Sequence, residues 1–284
     1  MRNQIVLSIN PFNPEQEVID YGIAVAKKLN LPIHIYSVHY SAVPVMPEAG
    51  VYPPRQIPDQ IPENVREEAE GRLNELCKEV RKTWPQTTYE FELGYMAETI
   101  VDKSRWLMKE ANKRNPYLII LQKNHEYNWW NEVFGTSETS IAAKASCPVL
   151  ILPTDIHYHG IQRLMYLMDE NTVNAEHITR LSRFANAFNA TIAAVYLAEE
   201  GKKLPAEELD RKMDSVRKLI PSTPFFHYQF EPKNTAEEIM QIAEWSKTDV
   251  VAFPFQESNF LNRLFDNENT ERLILKASVP VIVF

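Results

Sequence analysis

Apolar runs of strand length alternate with amphipathic stretches of helical length along this chain, and the alternation starts twice. Gln4-Ile5-Val6-Leu7-Ser8-Ile9 is a short apolar run, Asn10-Pro11-Phe12-Asn13-Pro14 reads as a turn, and residues 15–29 carry apolar positions at helical spacing. That predicts strand, turn and helix. A second strand is expected at 32–38. Residues 42–62 are rich in proline, which at that density forms neither a helix nor a central strand. An extended surface loop is expected there, leading into a charged amphipathic helix over 63–82. Thr88-Tyr89-Glu90-Phe91-Glu92-Leu93 alternates polar and apolar like a strand with one wetter face, and 96–112 reads as a helix. The stretch 117–153 adds an apolar run, a polar loop, a helix over 137–145 and a strand at 148–152. That makes five strands alternating with four helices.

The same plan restarts after a polar join at 154–160. Strands are expected at 163–168, 190–197 and 225–230, and helices at 175–188, 204–219 and 236–246. Residues 249–284 then repeat the layout of 117–153. Three registers support a duplication. Asn10 matches Asp169 at an offset of 159; Ala97-Glu98-Thr99-Ile100 and Trp106 match Ala236-Glu237-Glu238-Ile239 and Trp245 at 139; Pro148-Val149 matches Pro280-Val281 at 132. The offsets change only where loops differ in length, which a duplicated fold tolerates. Alternation of this kind predicts right-handed crossovers and a doubly wound parallel sheet. The fold class is therefore α/β, with two tandem five-stranded parallel-sheet domains at 1–153 and 161–284 and a linker at 154–160. Strands 148–152 and 280–283 would each leave an unpaired edge, so they are expected to pair with each other and make one chain a pseudo-dimer.

Composition narrows the function classes. At 284 residues, 44% hydrophobic and 24% charged, the chain can bury two ordinary cores. A net charge of −8 with no basic stripe argues against duplex nucleic acid as a partner. No apolar run approaches the length of a membrane span, and the N-terminus runs straight into a strand, so no membrane partner and a cytoplasmic location are expected. Cys77 and Cys147 suit a reducing compartment and show no metal spacing; both read as core residues. His157 and His159 with Asp155 have the composition of a metal site, yet alternate residues in a linker read better as solvated. No metal and no catalytic residues are assigned. Trp106 and Trp245, at equivalent helix positions, read as packing residues.

Several motifs resemble those of the universal stress proteins. In that family each domain opens with a strand ending in Asp, has an Ala-Glu-x-Ile helix start, and carries Gly-x2-Gly-x9-Gly-Ser/Thr before a Cys-Pro-Val strand. Asp169, the two Ala-Glu-x-Ile runs, Gly135-Thr136 and Cys147-Pro148-Val149 carry the likeness here, and it extends over nearly the whole chain. The resemblance implies a Rossmann-like, adenine-nucleotide-hydrolase-like sheet, pairing through the last strands, and, in ATP-binding members, a nucleotide at the carboxyl ends of the strands. Counting back from Cys147-Pro148, the family's loop positions fall on Gln122, His125, Gly135 and Thr136, and the strand-end acid on Asn10. Val38, at the end of the second expected strand, completes the first domain's candidate contacts. In the second half the loop positions are Pro254, Glu257, Asn267 and Glu268, and Asp169 is the candidate contact.

The spacing survives in both halves, whereas the chemistry departs. A phosphate cradle needs glycine so that backbone N–H groups can turn inward and approach closely. Of the glycines, at 22, 50, 71, 94, 135, 160 and 201, only Gly135 falls in the first loop and none in the second. Glu257 and Glu268 would face a triphosphate, each like-charge contact at about 4 Å costing roughly 1–4 kcal/mol. Gly135-Thr136 can hold one anion or simply cap a helix. His125 suits a phosphate, an adenine edge or solvent, and Trp129-Trp130 a base, a protein partner or the core. Three functions remain open: a stress-response regulatory or binding protein with degenerate nucleotide loops, an ATP-binding protein with slow ATPase activity in the first domain, and a protein-interaction module using Trp129-Trp130 or the Pro-rich segment. A homodimer of whole chains is compatible with each.

Overall fold

Runs such as Ile5-Val6-Leu7 and Val250-Val251 have no polar alternation, so they suit strands covered on both faces. A computed structural model of the chain describes residues 4–9, 15–37, 63–84, 113, 116–122, 141, 145–153, 156–169, 174–198, 201–231, 235–254 and 279–284. In the first half these residues form β1 (Ile5–Ile9), α1 (Gln16–Leu29), β2 (Ile33–Ser37), α2 (Glu63–Thr83), β3 (Leu118–Gln122) and β4 (Val149–Leu152). The second half supplies β5 (Arg163–Met168), α3 (Ala175–Phe188), β6 (Thr191–Leu197), α4 (Ala206–Leu219), β7 (Phe225–Phe230), α5 (Thr235–Trp245), β8 (Val250–Phe253) and β9 (Val281–Val283). Their ends differ from the sequence expectation by one or two residues at most. The strand expected at 88–93, the helix at 96–112 and the Pro-rich segment 42–62 lie outside the described residues. Of the helix expected at 137–145, Ile141 is helical and buried, and Ala145 N donates to its carbonyl at 2.8 Å.

Among the described residues the strands form one nine-stranded sheet, in the order β2-β1-β3-β4-β9-β8-β5-β6-β7. Every pairing is parallel except β4 with β9. That junction has Val149 opposite Val283, Leu150 opposite Ile282 and Ile151 opposite Val281. Leu150 and Ile282 are equivalent positions of the repeat, so the contact is reciprocal about them, as in an isologous dimer interface. The expected pairing of the two last strands is thus met inside one chain.

Successive residues of each strand serve opposite faces. Ile5, Leu7 and Ile9 join Leu118, Ile120, Leu150 and Ile282 in the core beneath α1, α2, α3 and α4. Val6, Ile119, Val149, Val251 and Val281 join the core beneath α5 and Ile141. Helices on both faces make the sheet doubly wound. The repeat extends to the caps. α1 ends at Asn30 and α3 at Asn189, both in the left-handed conformation, with Leu31 N bonded to Ala26 O at 3.0 Å and Ala190 N to Ala185 O at 2.9 Å. Asparagine tolerates that backbone better than most residues.

Trp245 corrects one expectation. It is 80% exposed, not a packing residue. The buried face of α5 carries Ile239 and Ala243, and the helical period places residue 245 about 200° round from Ala243. Trp106 lies outside the described residues.

On the face that carries α1 and α3, those two helices meet across the junction. Beside them the linker lays Tyr158 edge-on against Tyr21, with ring centroids 5.1 Å apart and planes at 88°. Asp249 Oδ2 accepts from the backbone N–H groups of Gln162 at 2.7 Å and Arg163 at 2.8 Å, and Arg163 Nη1 donates to Ser246 O at 2.7 Å. Burial, reinforced by the neighbouring Tyr158 and Asp249, pushes the Tyr21 phenol well above its ordinary value. Burial and then Asp249 raise Tyr158 in the same direction. The Tyr158 hydroxyl is shut away from solvent with no hydrogen-bond partner.

Three outcomes follow from this packing. Leu150→Ala and Ile282→Ala should each lower unfolding stability by about 2–5 kcal/mol in urea titrations, and the double variant should depart from additivity by at least about 0.5 kcal/mol, because the side chains touch. Tyr158→Phe should leave stability unchanged or raise it by up to about 1 kcal/mol, since it deletes a buried hydroxyl that bonds to nothing. With the Tyr21, Tyr117, Tyr158 and Tyr228 phenols raised in the folded chain, the unfolded chain ionises first. Stability should be intact below about pH 10 and fall as pH rises above it, less steeply in Tyr21→Phe when thermal midpoints are compared across pH.

Candidate functional site

Ligands of open α/β sheets bind outside the carboxyl ends of the strands, where the winding reverses direction. In the second half that reversal lies between β5 and β8, because the chain leaves β5 for β6 on one side and reaches β8 on the other. Asp169 directly follows β5 and is only 3% exposed. Pro254 directly follows β8 and is buried. Proline has no N–H, so the position of the cradle's first glycine offers no backbone donor here.

The first half reverses between β1 and β3. Gln122 ends β3 there, half-buried, with its Cα in register with Leu152. Its side chain occupies space that glycine would leave to a ligand. Asn10, Val38, His125, Gly135 and Thr136 lie outside the described residues, as do Trp129, Trp130, Glu257, Asn267 and Glu268. Gln122 and Asp169 are not brought together. β3 and β5 run in opposite directions because the β4–β9 pairing inverts the second half, so their carboxyl ends open on opposite sides of the sheet.

The helices that leave the two reversal points are poor anion traps. The residue before α1 is Glu15, and Glu17 stands in its first turn, acids that suit the positive end of the helix but repel phosphate. Before α3, the Asn174 side chain already accepts from Glu176 N at 2.8 Å and His177 N at 3.3 Å.

The inversion has a second effect, which sequence reading missed. The amino ends of β5 and β8 share a side of the sheet with the carboxyl ends of β3 and β4, so Tyr158 and Asp249 lie on the side of the sheet where the first half's strands end. On the other side Arg180 of α3 reaches towards Ser146 O at 3.4 Å, and with Arg183 it partly offsets the rise that burial gives the Tyr117 phenol. A signal was present. Tyr21 and Arg180 are repeat equivalents at an offset of 159, and Tyr117 and Asp249 at 132. Divergence at two positions that face each other across the junction marks a seam.

Other candidates are placed without being assembled. His157 and His159 are exposed, with ring centroids 6.2 Å apart, and Asp155 lies outside the described residues. Among the described residues no group of three or more His, Cys, Asp or Glu is gathered to hold a metal, and no helix is long and apolar enough to cross a membrane. Cys77 and Cys147 are buried and form no disulfide.

No protein-family model matches the sequence, and no curated protein does. Solved structures do match. A universal stress protein from Archaeoglobus fulgidus is similar over 100% of this chain and 96% of its own, with TM-score 0.69 and 14% identity. A putative universal stress protein from Pseudomonas aeruginosa is similar over 99% and 92%, with TM-score 0.62 and 13% identity. A functionally unknown protein from Pseudomonas aeruginosa follows over 99% and 92%, with TM-score 0.59 and 13% identity. The chain has the fold of the universal stress proteins, with the α/β unit present twice and the two copies joined through their last strands.

Proposed function

We propose that this chain is a cytoplasmic tandem universal stress protein with a regulatory or binding role in the stress response, and that its nucleotide loops are degenerate. The domains of this reading are 1–153 and 161–284, with 154–160 as linker. The observation that carries it is buried Pro254 at the second half's reversal point, in the position of the cradle's first glycine. A residue with a ring and no N–H there cannot turn a backbone donor towards a phosphate. Gln122 at the equivalent place in the first half supports the same conclusion there. Two buried cysteines that form no disulfide suit a reducing compartment.

A second reading, ATP binding with slow hydrolysis in the first domain, rests on Gly135-Thr136, with Asn10, Val38, Gln122 and His125 as the remaining contacts. The interaction-module reading places a protein partner on Trp129-Trp130 or on the Pro-rich segment, and whole chains can pair as homodimers in any of the three. Calorimetry of the full chain with ATP and magnesium separates the first two. No saturable heat at millimolar nucleotide, and no phosphate release, is the expected result. Saturable binding that Gly135→Glu abolishes would replace the regulatory reading with the ATP-binding one.

A further inference from the structure

The contacts that hold the two halves together are ones a second copy of the chain can supply equally well. The β4–β9 pairing is reciprocal about Leu150 and Ile282, and α1 meets α3 along the same line. Neither contact requires both halves to belong to one polypeptide. The connection decides. β4 ends at Leu152 and β5, which runs the opposite way, starts at Arg163, so the chain has to reverse direction between them. Gly160 lies in that reversal with φ +95°, a conformation that side-chain-bearing residues rarely adopt. A Cβ added there would meet nothing within 4 Å, so backbone conformation and not space calls for glycine. On one side of Gly160, Tyr158 is seated on Tyr21 of the first half; on the other, Gln162 and Arg163 are fastened to Asp249 of the second.

We propose that Gly160, with the Tyr158 ring docked on Tyr21, is the hinge that makes β4 and β9 pair within one chain, and that straightening it lets the same surfaces pair between two copies as an exchanged dimer. The exchanged form keeps the β4–β9 pairing and the α1–α3 contact, and gives up the seat of Tyr158 on Tyr21 and the high effective concentration that a short folded-back linker provides. The occupant of the released surface is a second copy of this chain, because the surface complements its own repeat.

The test is refolding of the full chain from denaturant at a series of concentrations, followed by size-exclusion chromatography with light scattering. Gly160→Val places a β-branched residue in the turn. Gly201→Val is the control, because Gly201 also has positive φ, +71°, and open space, but sits in the loop after β6, away from the linker. The dimer-to-monomer ratio should rise about tenfold over wild type in Gly160→Val, the factor that about 1.4 kcal/mol of strain produces, and not in Gly201→Val. The extra dimer should survive hours of dilution and revert only through unfolding. Tyr158→Ala releases the ring without touching the glycine, should shift the ratio the same way, and decides the matter if Gly160→Val does not fold. Unchanged profiles for the linker variants, an equal rise in Gly201→Val, or a dimer that dissociates within minutes of dilution would each overturn the proposal.

Discussion

The antiparallel pairing of β4 with β9 is the constraint on which the rest of this structure depends. Each half ends in a short, wholly apolar strand whose outer row of backbone N–H and C=O groups needs a partner. Supplying that partner from the other half places those two edges at the centre of one sheet. An antiparallel contact between repeat-equivalent strands also imposes a local two-fold relation, seen in Leu150 lying opposite its own equivalent, Ile282. Inversion of the second half follows from that relation. It directs the carboxyl ends of the two halves to opposite sides and brings α1 against α3.

Two-fold relations between non-identical halves allow each facing position to diverge. Where an identical dimer would repeat one contact, this chain has Tyr21 near Asp249 on one side and Arg180 near Tyr117 on the other. The linker adds Tyr158 to the first of these sides alone, so the two sides of the junction carry different chemistry. Asymmetry reaches the regions themselves: Gln122 stands at the reversal point of one half, and Asp169 with Pro254 at that of the other. Duplication preserved the sheet because its apolar runs are buried on both faces. In the sequence, of the three glycines in the family's loop motif, only Gly135 is present in the first half and none in the second.

Much of the architecture was legible in the residues. Apolar runs of four to seven residues, amphipathic helical stretches and the repeated Pro-Val openings placed each described element within one or two residues, because strands buried on both faces and helices with one apolar stripe leave unmistakable periods. Trp245 was misread for the opposite reason: apolar character alone does not say which way a residue points when it falls off the stripe. The candidate site was less legible. Motif spacing located Gln122 and Asp169 at strand ends correctly, yet nothing in the spacing reveals that they open on opposite sides of the sheet. The Tyr21, Tyr158 and Asp249 cluster joins residues far apart in sequence, and no local pattern announces it.

By itself the sequence determined the α/β alternation, the duplication, the edge strands that had to pair and the scarcity of glycines, since each is a property of local composition or period. Tertiary structure alone decided the direction in which the two halves meet, which side each strand end faces, and that Gly160 must turn the chain back with Tyr158 seated on Tyr21. Those features depend on hydrogen-bond register and on side chains meeting across the junction, relations between distant segments that exist only once the sheet has closed.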